Sequence, residues 1–276
     1  MEKKFIGAGL FAGLVAGLIA YVFARLFIEP QVAKAIDYES GRSEAEEVLE
    51  AAAAGGHVHG EGGEVFTRSI QENIGAGTGT IVFALCMAAF FAVAFTLLWT
   101  YLGRRHPATD PRWVAAALGV LGFITMFAVP FFAYPANPPA VGDDDTIGAR
   151  SGAYLTITLA SVVFMVCAVV VALWLRPRIG GLWSAVIGGL GYLVAVIITI
   201  ALLPEFHEVP GPVTDDAGQI VFPGFPGAVI GDFRVYVVAN QVILWTVLTV
   251  VFAVVITVFM KPRDSQDVPS SKSISV

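Results

Sequence analysis

Apolar residues gather into six long runs, and polar residues gather into the segments between them. The runs are 5–28, 80–102, 113–133, 154–175, 182–203 and 235–260. Each has the roughly 20 residues that a helix needs to cross a hydrocarbon core of about 30 Å. Backbone polar groups in lipid must be satisfied within the segment, so runs of this length fold as helices. The pattern predicts an all-α integral membrane protein, a six-transmembrane-helix bundle. Its single polytopic domain covers 1–263, with a soluble loop at 29–79 and a flexible tail at 264–276. The first run also has the basic start of a signal peptide, but its apolar stretch exceeds the usual 7–15 residues. An uncleaved helix is the better reading.

Composition agrees: 57% of residues are hydrophobic, 14% are charged and the mean hydropathy is +0.77. The net charge of −6 conceals a segregation. Lys3, Lys4, Arg104, Arg105, Arg112, Arg176, Arg178, Lys261, Arg263 and Lys272 share one side with four carboxylates, which leaves +6. The other side holds five basic residues against eighteen carboxylates, or −13, with Arg25 inside the first run. Basic flanks stay in the cytoplasm. Both termini are therefore expected inside, and three acidic loops outside.

The inner loops, 103–112 and 176–181, leave no room for a catalytic domain. The glycine-rich segment from Gly75 to Thr80 lacks the lysine of a P-loop. No nucleic-acid partner is indicated. In the first outer loop, Ser43 and Glu46 have the spacing of a capping box, predicting a short helix over 44–54. Beyond it, His57, His59, Glu61 and Glu64 sit among glycines. In an extended segment alternate residues project to the same side, and imidazole with carboxylate suits Co²⁺, Ni²⁺ or Zn²⁺. A solvated acidic loop with incidental histidines explains the same residues. In the second loop, Pro135, Pro138 and Pro139 stiffen the path before Asp143, Asp144 and Asp145. These carboxylates are hard-oxygen ligands or a plain acidic turn. In the third, Glu205, His207 and Glu208 follow a span directly, as a second ion station or an interfacial anchor.

Other polar groups have structural readings. Arg25 is expected to reach Glu29 four residues on, or to snorkel. Arg68, Arg150 and Arg234 stand before returning helices, where partners such as Glu64, Asp145, Asp232 or other loop groups would neutralise them. Asn240 and Gln241 in the last run should hydrogen-bond to neighbouring helices. Gly9, Gly13 and Gly17 form a small-residue stripe for close packing, as do Gly181, Ala185 and Gly189. Cys86 and Cys167 differ in depth by about 10 Å at ~1.5 Å per residue, too far for a disulfide.

Several segments also resemble the CbtA-type cobalt transporter subunits of prokaryotes. They are Phe27-Ile-Glu-Pro30, Tyr134-Pro-Ala-Asn-Pro-Pro-Ala-Val-Gly-Asp143, Ile147-Gly-Ala-Arg150, Leu203-Pro-Glu-Phe-His-Glu-Val-Pro210 and Phe233-Arg234. The resemblance implies a multi-pass protein of the prokaryotic plasma membrane, not an enzyme, acting in cobalt uptake beside corrin biosynthesis. It implies Co²⁺ as the transported ion with no permanently bound cofactor, and a small single-span, histidine-rich CbtB-type partner. A homo-oligomer stays open. The alternative is a polytopic membrane enzyme with an outward-facing site, for which Ser69 and Ser151 have no histidine nearby in sequence.

Overall fold

The computed structural model describes residues 2–54, 67, 70–105 and 109–260. The helices are α1 (Glu2–Phe23), α2 (Glu29–Ala54), α3 (Ala76–Arg105), α4 (Pro111–Phe123), α5 (Val129–Ala133), α6 (Ile147–Ile179), α7 (Gly181–Leu202) and α8 (Gly227–Met260). Among the described residues six helical stretches are long and apolar enough to cross a membrane: Lys3–Ala52, Glu72–Arg105, Pro111–Ala133, Asp144–Ile179, Gly181–Leu202 and Gly227–Val258. The chain is a six-span membrane protein. Its connections divide into a short-loop end and a loop-rich end.

Small residues bring α1 against α3. Ala8, Ala12, Ala16 and Ala20 are buried, and the Gly9–Gly13–Gly17 stripe lies beside them. A Cβ on Gly9 would stand 2.7 Å from Ala92 Cβ, and one on Gly17 would stand 2.9 Å from Ala84 Cβ. Without side chains to separate them, the two backbones pack in close van der Waals contact. α8 closes the core with Leu244, Leu248, Phe252 and Ile256. Phe252 meets Phe91 at 5.0 Å and Phe95 at 4.9 Å, both edge to face, the geometry that ring quadrupoles favour.

The stripe expected in α7 is displaced. Nothing approaches Gly189, whereas a Cβ on Gly188 would lie 2.7 Å from Ala168 O. The buried face of α7 is Ser184, Gly188, Tyr192 and Val196. One residue is about 100° of rotation at 3.6 residues per turn, so neighbouring glycines serve different faces. The Ser161 and Tyr192 hydroxyls, 2.8 Å apart, join α6 to α7. Cys86 and Cys167 are free and exposed on the helix surfaces.

The segment 29–79 differs most from expectation. α2 begins at Glu29, fifteen residues before the expected helix, and continues α1 through a π-helical stretch, Ala24–Ile28. Ser43 therefore lies inside a helix rather than capping one. A proline inside a helix ordinarily kinks or ends it, because it has no N–H and its ring crowds the carbonyl four residues back, and Pro30 stands in the second position of α2. The π turn relieves both problems: the Glu29 N–H bonds to Ala24 O, five residues back, and loosens the ladder there. The same device recurs at Ile124–Ala128, where the Val129 N–H bonds to Ile124 O just ahead of Pro130.

At the short-loop end, the Asp110 carboxylate caps α4 through the Arg112 N–H at 2.9 Å. It also grips the Arg112 guanidinium with both oxygens. These bonds, the side-chain ones first, hold Asp110 below the usual carboxylate range. α6 runs on through Pro177, and Gly180 alone (φ 82°) makes the turn into α7.

Candidate ion-entry site

The loop-rich end forms an ordered cap. Ala35 and Tyr38 of α2 pack with Val141, Phe225 and Ile230 in a second apolar cluster. The Tyr38 ring lies 4.8 Å from Phe225 and 5.3 Å from Phe222, and its hydroxyl donates to Pro223 O at 3.2 Å. Arg42 donates to Gly211 O at 2.7 Å and pairs with Glu46 at 2.9 Å. Two short strands, β1 (Val213–Thr214) and β2 (Ile220–Phe222), pair antiparallel within the third loop. Arg42 falls within the segment expected as a soluble loop. It is instead a helical residue that holds the third loop.

Two arginines secure the proline-rich loop after α5. Arg234 donates from Nε to Ala136 O at 3.2 Å and from Nη2 to Asn137 Oδ1 at 2.7 Å. Arg150 donates to Asp143 O at 2.8 Å, and its Nε lies 3.3 Å from Glu208 Oε2. That Nε contact is an ion pair without the alignment of a hydrogen bond. The pair is partly covered, with side chains 29% and 17% exposed. Glu208 Oε2 accepts the Asp143 N–H at 2.9 Å. This bond, then the Thr146 hydroxyl and Arg150, keeps its carboxyl below the usual range. Gly142 (φ 139°) lies against the Arg150 guanidinium, where a Cβ would come within 2.7 Å of Cζ. Tyr134 donates to Pro204 O at 2.7 Å. Burial first, and the Glu205 carboxylate second, push its phenol up.

Arg150 thus pairs with Glu208 rather than Asp145, and Arg234 holds loop oxygens rather than Asp232. Asp143 caps a short 3₁₀ turn, accepting the Asp145 N–H at 2.9 Å, while Asp144 and Asp145 point outward. Glu205 and His207 approach to 3.9 Å and are almost fully exposed, whereas Glu208 is engaged by Arg150 and the Asp143 N–H. Among the described residues no three His, Cys, Asp or Glu side chains gather to hold a metal. His57, His59, Glu61, Glu64 and Arg68 lie outside the described residues.

Within the bundle, Arg25 reaches Asn73 Oδ1 at 3.2 Å and Glu72 at 3.5 Å on the turn that leads into α3. The expected partner was Glu29, on its own helix. Asn240 and Gln241 do not make the expected interhelical bonds through their oxygens. Asn240 Oδ1 and Gln241 Oε1 are buried with no hydrogen-bond partner among the described residues. Buried polar atoms in a membrane interior are costly and point to ion or substrate paths.

The family described as probable cobalt transporter subunit (CbtA) matches residues 2–257. The chain belongs to the CbtA family. No curated protein and no solved structure matches it. The CbtA match takes in nearly all of the six apolar stretches as well as the cap. A CbtA chain is a transporter subunit, so it works with at least one partner.

Proposed function

We propose that this chain is the membrane-embedded subunit of a cobalt uptake transporter. In this reading its loop-rich end lies outside the cell and both termini lie in the cytoplasm. The family match over residues 2–257 carries the proposal, and the lysine and arginine bias supports the orientation. Carboxylates around the mouth concentrate divalent cations. His57, His59, Glu61 and Glu64, with Glu205 and His207 and the Asp143–Asp145 turn, are the collecting groups, of the chemistry that suits Co²⁺. Glu208 has a separate part: bound to Arg150 and the Asp143 N–H, it sets the shape of the mouth. Asn240 and Gln241 offer neutral oxygens to an ion shedding its water on the way in. The partner is the small single-span, histidine-rich CbtB-type subunit.

Uptake of ⁵⁷Co by intact cells expressing the chain, with and without that partner, tests the function. Uptake that depends on the chain supports it; uptake unchanged by the chain refutes it. Orientation is tested separately in a background without native cysteines. Ala217→Cys should react with an impermeant maleimide in intact cells, and Ala108→Cys only after permeabilisation. The reverse labelling would invert the bundle.

A further inference from the structure

A cleft of about 980 Å³ separates α6 from α3 and α4, running from mid-bundle to the short-loop end. Phe90 and Leu97 of α3, with Val166, Val170 and Trp174 of α6, line it and are exposed. Thr125, farther in, already bonds to Leu121 O and Gly122 O. Arg105 and Arg178 stand at the short-loop end. Arg105 lies 4.4 Å over the Tyr101 ring, and Arg178 lies 4.0 Å over the Trp174 ring. Neither guanidinium meets a carboxylate among the described residues, and Asp110 is taken by Arg112.

Apolar walls do not hold water, so within a bilayer the occupant of this cleft is hydrocarbon. A purely apolar occupant would leave two guanidiniums at the mouth without a counter-charge from the described residues. A trough that is greasy along its length and doubly cationic at one end is complementary to an anionic amphiphile. Guanidinium forks match phosphate oxygens two at a time, and basic pockets between membrane helices take anionic lipid head groups. We propose that the cleft binds one anionic phospholipid, its acyl chains between α3 and α6 and its phosphate between Arg105 and Arg178. The site is independent of the ion carried and of the orientation of the bundle.

Native mass spectrometry of the detergent-purified chain tests this, using phosphatidylglycerol and phosphatidylcholine with identical acyl chains. One phosphatidylglycerol should stay bound about tenfold more tightly than phosphatidylcholine, a difference of ~1.4 kcal/mol. Arg105→Gln with Arg178→Gln should abolish that preference, and Ala94→Phe, which fills the cleft, should expel the lipid. Arg104→Gln with Arg176→Gln, at the same end but outside the cleft, should leave it bound, and inorganic phosphate should not displace it. Equal retention of the two lipids would overturn the proposal. So would loss in the Arg104 and Arg176 control, displacement by phosphate, or a polypeptide or second copy seated there instead.

Discussion

Gly13 on α1 and Gly189 on α7 both lie in apolar, membrane-spanning helices, but only Gly13 touches another helix. A Cβ on Gly13 would meet Ala88 and stand 3.0 Å from Ala84 O; around Gly189 the space is open. The contrast extends to the helices that carry them. α1, α3, α4 and α8 share one continuous core of alanines, phenylalanines and leucines. α6 and α7 pack chiefly on each other, and only 17% of the best apolar window of either stretch is buried, against 44% for the stretch containing α1. The hairpin is tied at the loop-rich end, where Arg150 and Glu208 grip the proline loop and Tyr134 holds Pro204. At the short-loop end it stands off across the cleft. Four helices therefore form a fixed scaffold, and two form a pair anchored at one end.

The sharpest way to break this contrast is to add bulk to each glycine. Gly13→Leu forces apart two helix backbones, and overpacking of this kind costs ~1–3 kcal/mol or more. Loss of most folded protein is expected on detergent size-exclusion chromatography. Gly189→Leu should behave as wild type. Equal damage at both positions would mean that α7 is covered by something beyond this chain's own helices.

Cutting the anchor comes next. Arg150→Ala leaves Glu208 covered and without its cation, and removing one partner of a covered pair is the costly case. Cleavage within 203–226 by added protease should rise several-fold, with a parallel fall in ⁵⁷Co uptake. Arg42→Ala removes the hold on Gly211 and should loosen the same loop to a lesser degree. If neither variant changes proteolysis, the clamps do not hold the cap.

Acid should act on the same anchor. Glu208 has its carboxyl depressed in the folded protein, so its stabilisation is complete above the ordinary carboxylate range. It is lost as pH falls through the lower folded value. Thermal unfolding followed from about pH 7 to about pH 3 should fall more steeply for wild type than for Glu208→Gln. Parallel curves would show that this carboxylate is not coupled to the fold.

Residues that meet lipid were legible from sequence, and residues that meet each other were less so. Six spans follow from hydrophobicity because the bilayer imposes one length on every crossing. The α1 stripe was legible because a four-residue repeat of glycine has few other uses. In α7 two adjacent glycines offered two faces, and spacing alone does not say which is covered. Pro30 concealed α2, since its usual effect is cancelled by a π turn that depends on backbone geometry rather than residue type. At the candidate site, Arg150 and Arg234 could be read as needing partners. Their partners are mostly loop carbonyls and an asparagine, which are nearly invisible in a sequence because every residue carries a carbonyl. Asn137 and Tyr134 stood within a recognisable motif, but nothing local assigned them to Arg234 and Pro204.

The smallest effect belongs to the hydroxyl pair inside the hairpin. Ser161 is fully buried and Tyr192 nearly so, and each is the other's partner at 2.8 Å. Removing one of them leaves a single unpaired hydroxyl, whereas removing both leaves none. A net hydrogen bond is worth ~0.5–1.5 kcal/mol, and an orphaned buried group costs somewhat more. Ser161→Ala and Tyr192→Phe should each lower the melting temperature slightly, and the double variant should cost less than the sum of the two. Because the hairpin packs mainly on itself, this loss should not reach the α1–α3 contact. Backbone hydrogen–deuterium exchange over residues 8–20 should be the same in wild type and in all three variants. Changed exchange there would join the two regions into one cooperative unit and remove the distinction between scaffold and hairpin.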